Sequence, residues 1–225
     1  MFINLPQIKP KKLIKLNFNQ HLSIILSLSL IFPNVTLADI IADRNAPISN
    51  QPTILKTPNS AIQVDIVKPS SSGVSMNEYS KFDTSKDGTV LNNSRSGSDT
   101  LTGGYIHANP RLSGGTAKLI VNKVNSNKAS SLEGNIEIVG DRADLLIANP
   151  SGINIDGAHF INSKSTTLTT GEIRYDGNKI NSIDVNKGEI TINGKGLKDE
   201  SDYISLISNT AKINANIHAN ELNII

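Results

Sequence analysis

The tightest constraint on this chain is the run Asp141-Arg-Ala-Asp-Leu-Leu-Ile-Ala-Asn-Pro-Ser-Gly-Ile153, in which an Asn-Pro-x-Gly turn cuts into a β-forming segment. Pro150 fixes its own φ and pushes Asn149 into an extended conformation, while Gly152 can supply the positive φ that ends a tight turn. The run Ile106-His-Ala-Asn-Pro-Arg-Leu112 repeats the Ala-Asn-Pro core forty residues earlier, which suggests the same structural corner used twice in a layered β architecture. Two ordinary turns are the plain alternative, since any Asn-Pro dipeptide favours a turn.

The residues around these corners alternate with the period of a strand, and almost no stretch after residue 38 has apolar residues at helical spacing. Ala61 to Val67 reads as a first strand, ended by Pro69 and a Ser-Ser-Ser-Gly turn, and Ile136 to Ile138, Glu189 to Ile192 and Leu206-Ile207 are further short candidates. From Ala211, Ile213, Ala215, Ile217 and Ala219 point one way; after a slip at Asn220 and Glu221, Leu222 and Ile224 resume the pattern, which fits two strands joined by a corner. Gly103-Gly104 and Gly114-Gly115 read as turn or bulge positions around the first Asn-Pro corner. Short strands between Asn/Gly corners suit either a β-sandwich or a β-solenoid. The solenoid explains more, because corner asparagines can bond backbone groups of successive coils and so give a use to 27 asparagines, 12% of the chain. AT-rich coding would also enrich Asn, Lys and Ile.

Residues 1–38 stand apart from this pattern. Lys9, Lys11, Lys12 and Lys15 form a basic stretch without an acid, Leu22 to Phe32 is an apolar core too short to span a bilayer, and Thr36-Leu37-Ala38 offers small residues to a signal peptidase. Export with cleavage between Ala38 and Asp39 is therefore expected, leaving 187 residues; an uncleaved anchor is the alternative. Four lysines and no acids leave with the peptide, so 22 basic and 20 acidic residues become 18 and 20, a net charge of −2. With no basic excess and few aromatics, the footprint of a nucleic-acid binder is missing. The lack of cysteine in an exported chain excludes disulfides and thiolate chemistry.

No constellation points to catalysis or to a cofactor. His107, His159 and His218 lie far apart and at no metal-ligand spacing, and the sequence holds no G-x-S-x-G, phosphate loop or dinucleotide fingerprint. Asp141, Asp144 and Asp156 cluster around the second corner, where paired carboxylates could act as acid and base on a polysaccharide. Asp141 and Asp156 each adjoin a glycine, however, so turn formation is the stronger reading.

Taken in order, several blocks resemble the N-terminal secretion domain of two-partner secretion exoproteins of the filamentous haemagglutinin type. Gly73 to Phe82 and Leu91-Asn-Asn-Ser94 look like its opening blocks. Asn109-Pro110-Arg111-Leu112 resembles the first family motif, Asn-Pro-Asn-Leu, and Asn149-Pro150-Ser151-Gly152-Ile153 resembles the second, Asn-Pro-Asn-Gly-Ile. Phe160-Ile-Asn162, Thr167 to Gly171 and Asp202 to Ile207 continue in the family order. The resemblance implies an all-β fold: a right-handed parallel β-helix with an N-terminal cap and small extra-helical β elements. With the leader read above, the chain divides into a signal peptide (1–38), a lead-in and cap (39–60) and the β-helix domain (61–225). It also implies a partner, a cognate Omp85-type outer-membrane transporter with POTRA domains, and places the protein outside a Gram-negative cell, secreted or surface-associated.

Arg111 and Ser151 replace the second Asn of each motif, removing one amide from each corner. Ile155 and Ala158 stand where some members carry cysteines, which argues against assignment to the cysteine-bearing haemolysin or contact-inhibition branches. Family members usually continue well beyond this length, and the chain stops on an apolar strand at Ile224-Ile225, so a fragment or a pairing partner is expected. An adhesin-type secretion module is the leading function. A haemolysin or contact-dependent toxin is the alternative, with any receptor engaged through a region beyond Ile225, and a polysaccharide-acting β-helix enzyme comes third.

Overall fold

The computed structural model of the chain describes residues 39–176 and 179–225. The expected signal peptide, with Ala38, lies outside the described residues; Asp39 is exposed. The chain winds into a parallel β-helix. One sheet is built from β3 (Ile62–Asp65), β5 (Thr89–Asn93), β9 (Ser130–Gly140), β11 (Ile153–Ile161), β15 (Glu189–Ile192) and β18 (Thr210–Ile213), each pairing in parallel with its predecessor. The other alternates with it along the chain: β4 (Val74–Phe82), β8 (Leu119–Val124), β10 (Ala143–Ala148), β12 (Ser163–Thr169), β17 (Ile204–Ile207) and β20 (Leu222–Ile224), again in parallel. Because side chains alternate across a strand, every second residue points into the coil and stacks on its counterpart one layer away. Ile120, Leu145, Thr166 and Ile204 form one such inward row, all at most 1% exposed. Ile153 and Ile190 pair in register in another, both fully buried.

The N-terminal end is capped by two antiparallel strands. β1 (Ile40–Ala42) closes one sheet against β4, and β2 (Thr53–Lys56) closes the other against β3. An antiparallel strand ends the parallel stacking on that side and shields the first coil. Residues 39–60, polar and weakly patterned in sequence, thus contribute both edge strands.

Glycine bends give the coils a third face. β11 pairs through Ile153–Ile155 with β15 and through Ala158–Phe160 with β16 (Leu197–Asp199), and the break falls at Gly157, whose φ is +86°. In the last coil a bend at Asn214–Asn216, made without glycine, separates β18 from β19 (Ile217–His218). The C-terminal alternation from Ala211 therefore resolves into three strands rather than two. Ala215, Ile217 and Ala219 pack on the core, whereas Ile213 is 42% exposed.

Two antiparallel hairpins lie outside the coils: β6 (Ser98–Thr100) with β7 (Gly104–Ile106), and β13 (Glu172–Asp176) with β14 (Lys179–Asp184). Each covers an apolar patch on the outer face of a sheet. Ile106 of the first packs with Val90 and Val139. Ile173 of the second packs with Val121, Leu146 and Ala148, with Ile180 and Ile183 alongside.

Candidate functional site: the two Asn-Pro corners

Both corners are built by one side chain bonding in three directions. Asn109 is 3% exposed; its Oδ1 accepts the Arg111 N–H at 3.0 Å, which caps the single 3-10 turn Pro110–Leu112. Its Nδ2 donates to the Ile66 and Asn92 carbonyls, both at 2.9 Å, tying the first coil to the second. Asn149 is fully buried and repeats the scheme: Oδ1 accepts the Ser151 N–H at 2.9 Å, and Nδ2 donates to the Lys128 carbonyl and the Ser130 Oγ at 3.0 Å. In both, the Asn carbonyl accepts the N–H three residues on, from Leu112 at 3.1 Å and from Gly152 at 3.0 Å. Leu112 (1% exposed) and Ile153 (0%) then enter the core. Pro110 and Pro150 lose nothing by lacking an N–H at the first position of a turn.

The corners occupy opposite sides of the coil. Asn109 precedes β8, on the way from the β5 sheet to the β8 sheet, whereas Asn149 lies between β10 and β11, on the way back. The local turn is the same; the corner is not. At the positions where the family motif has its second Asn, other donors reach across: Arg111 Nη1 bonds the Gln51 carbonyl in the cap at 2.8 Å, and Ser151 Oγ bonds the Ser126 carbonyl at 3.1 Å. Gly152 has φ +116°, and a Cβ there would sit 3.2 Å from the Glu189 carbonyl oxygen, so the position is closed both by backbone and by space.

Other asparagines lock successive layers in the same way. Asn93 receives the Ala117 N–H at 2.7 Å and donates to the Asp141 carbonyl at 2.9 Å. Asn162, one of two described non-glycine residues with positive φ, donates to the Ile138 carbonyl at 2.8 Å, and Asn220 donates to that of Ser201 at 2.8 Å. The asparagine enrichment has structural uses at these positions. Inside the first two coils, Tyr79 donates to Asn122 Oδ1 at 2.8 Å, and Asn77 Oδ1 accepts the Val67 N–H at 2.9 Å. The sequence gives no sign of that internal network, because these residues sit at inward positions that alternation assigns to apolar side chains.

The three aspartates near the second corner each accept a hydrogen bond within the scaffold. Asp141 Oδ2 accepts from Thr116 at 2.7 Å, Asp144 Oδ1 from Ser165 at 2.6 Å, and Asp156 Oδ1 from the Lys195 N–H at 2.9 Å. Asp144 lies on β10 and Asp156 on β11, strands of different sheets. Two other carboxylates, not singled out by sequence, fasten peripheral elements. Glu137 accepts the Leu101 and Thr102 N–H groups at the first hairpin tip, at 3.1 and 2.8 Å. Glu78 binds Asn50 of the cap and Asn125, both at 2.8 Å, and lies 3.4 Å from Lys123. Burial raises the Glu78 carboxyl, but the hydrogen bonds from Asn125 and Asn50 and the Lys123 ammonium outweigh it and hold it below the ordinary carboxylate range.

These features define a class: a parallel β-helix with a capped first coil, hairpins laid on its outer faces and asparagine-locked corners. The TPS secretion domain family model matches residues 38–225, and the chain belongs to that family. It is 46% identical to Toxin CdiA of Yersinia pestis over 188 residues, which are 83% of this chain and 6% of that protein. It is 41% identical to tRNA nuclease CdiA-2 of Burkholderia pseudomallei over 181 residues, 79% of this chain and again 6% of the relative. The chain thus spans about one-sixteenth of the length of these relatives. Its fold matches the crystal structure of the filamentous hemagglutinin secretion domain with a TM-score of 0.67 at 31% identity, covering 79% of this chain and 59% of that one. The family and the β-helix expected from the ordered motifs are borne out. Ile155 and Ala158 do not separate the chain from CdiA proteins, since such proteins stand among its similar relatives.

Proposed function

We propose that this domain addresses a longer exoprotein to a cognate Omp85-type outer-membrane transporter with POTRA domains, in a Gram-negative cell. Export across the inner membrane uses residues 1–38, with cleavage between Ala38 and Asp39. The unfolded chain presents alternating β segments that add to strand edges of the transporter; backbone bonds give affinity and alternate side chains give selectivity. Outside, each coil folds on its predecessor, because solenoid repeats contact mainly their neighbours. Asn109, Pro110, Leu112, Asn149, Pro150, Gly152 and Ile153 serve this step by closing corners onto carbonyls already in place. The domain itself carries no catalytic role in this reading, and binding to a host or bacterial receptor would fall to a region beyond Ile225.

The observation that carries the proposal is the family match over residues 38–225 on a β-helix whose two family motifs are both buried corners. The cargo is that of a haemagglutinin-like adhesin. A second reading, a contact-dependent toxin, is favoured by the names of the CdiA relatives. Expression of the full chain with and without the transporter gene, followed by assay of the medium, tests the module: release of a product beginning at Asp39 only with the transporter is expected. Retention under both conditions would overturn it. Reading the coding sequence beyond Ile225 separates adhesin from toxin.

A further inference from the structure

The second hairpin leaves a strand edge open beside a groove. β13 pairs only with β14, in a two-stranded sheet, and no other backbone hydrogen bond reaches Glu172–Asp176 among the described residues. Two clefts, of about 430 and 440 Å3, run beside this strand: the first is lined by Tyr175, the second by Glu172, Ile173 and Arg174, and neither by any residue of β14. They follow one another along β13 and share Lys123. Five residues of strand extend about 17 Å. The opposite wall comes from the cap, through Ser49 and Asn50, and from the Asn125–Asn127 loop beside Pro150.

The lining specifies what would fit. Val74 and Met76 of β4 give the first cleft an apolar floor, against which one side chain of an added strand could pack. The Tyr175 hydroxyl bonds the Met76 sulfur at 3.2 Å and fixes one wall. Lys68 in the first cleft and Lys187 in the second are exposed, and among the described residues neither side chain has a hydrogen bond or an ion pair. Glu78 and Glu172 also line the clefts but are engaged, Glu78 with Lys123 and Glu172 with Arg174. Uncommitted charge in the groove is therefore positive. An unpaired edge with room beside it is a template for an incoming strand.

We propose that the free edge of β13 is a strand-acceptor site, which takes an extended segment of a partner protein with alternating apolar and acidic residues as a third strand of the hairpin sheet. The site belongs to the folded domain, so its test is independent of export. The probe is an acetylated hexapeptide alternating valine and glutamate, added to the purified protein while amide exchange and peptide anisotropy are followed. Saturable binding with roughly tenfold slower exchange at Glu172–Asp176 is expected. The lysine counterpart should bind roughly fivefold more weakly, as two exposed ion pairs would give. Ser49→Trp with Ser126→Trp fills the groove and should abolish both signals. Lys68→Glu with Lys187→Glu, at exposed positions, should reverse the preference toward the lysine peptide. Unchanged exchange at Glu172–Asp176 under saturating peptide, or binding that survives the tryptophan pair, would overturn the site; equal binding of the two peptides would overturn its acidic specificity.

Discussion

The two Asn-Pro corners share one hydrogen-bond scheme and differ in everything around it. At the first, Nδ2 of Asn109 holds two backbone carbonyls, and the neighbouring Arg111 reaches the cap. At the second, Nδ2 of Asn149 holds one carbonyl and one hydroxyl, and the chain runs on through Gly152 straight into β11. The dipeptide therefore sets the turn, through the fixed φ of proline and the capping amide, while the flanking strands decide which corner of the coil it closes. One local device is thus reused where its surroundings place different loads on it.

The largest break in that comparison should come from the core residue each corner delivers. Ile153→Ala and Leu112→Ala should each cost about 2–5 kcal/mol in denaturant unfolding, with the greater loss at Ile153, which stacks between Ser130 and Ile190 in the parallel sheet. Equal losses would remove the distinction between a strand-entry corner and a 3-10 corner. Next, Asn109→Ala and Asn149→Ala should cost about 2–3 kcal/mol each, and Asn109→Ala more, because both stranded groups are carbonyls whereas the Ser130 hydroxyl can rotate to another partner. Gly152→Ala should cost about 1–3 kcal/mol, from its positive φ and the close Glu189 carbonyl. The first corner has no counterpart, since Leu112 stands in that place, within the 3-10 turn and without a positive φ.

The smallest effect is the pH dependence that Glu78 contributes where it ties the cap to Asn125. Glu78 has its carboxyl held below the unfolded value, so its contribution is complete above the unfolded pKa and disappears as pH falls through the folded one. Unfolding followed by denaturant from about pH 6 down to pH 3 should show a loss in the lower half of that range, and Glu78→Gln should lessen it. An unaltered profile in Glu78→Gln would assign the acid sensitivity to other carboxylates.

Much of this architecture was legible because solenoid coils are short and locally coded. The alternation from Glu189 to Ile192 and the Asn-Gly corners report strands and bends directly, and the ordered motifs report the family. Strand pairing over long separations was not legible. Leu145-Leu-Ile-Ala148 reads as uniformly apolar because hairpin β13–β14 covers its outer side, leaving no polar alternate residue to reveal which face is inward. The last coil reads as two strands in sequence because Asn214-Ala215-Asn216 keeps the alternation across a bend that pairing with earlier coils imposes. Glu78 and Glu137 are not legible in sequence, since a single buried carboxylate bonded to distant amides leaves no spacing pattern. The corner roles of Asn109 and Asn149 were legible as turns, but their coil-to-coil bonds depend on partners 17 to 43 residues away.

In the proposed function the corners act in export by locking coils as they fold, not as surface features read by the transporter. Secretion and unfolding free energy measured together for Asn109→Ala, Asn149→Ala and the Asn149→Ala/Pro150→Ala double variant test it most directly. Secretion that falls in the same order as stability is the predicted result. Secretion abolished in a variant whose stability is unchanged would contradict it.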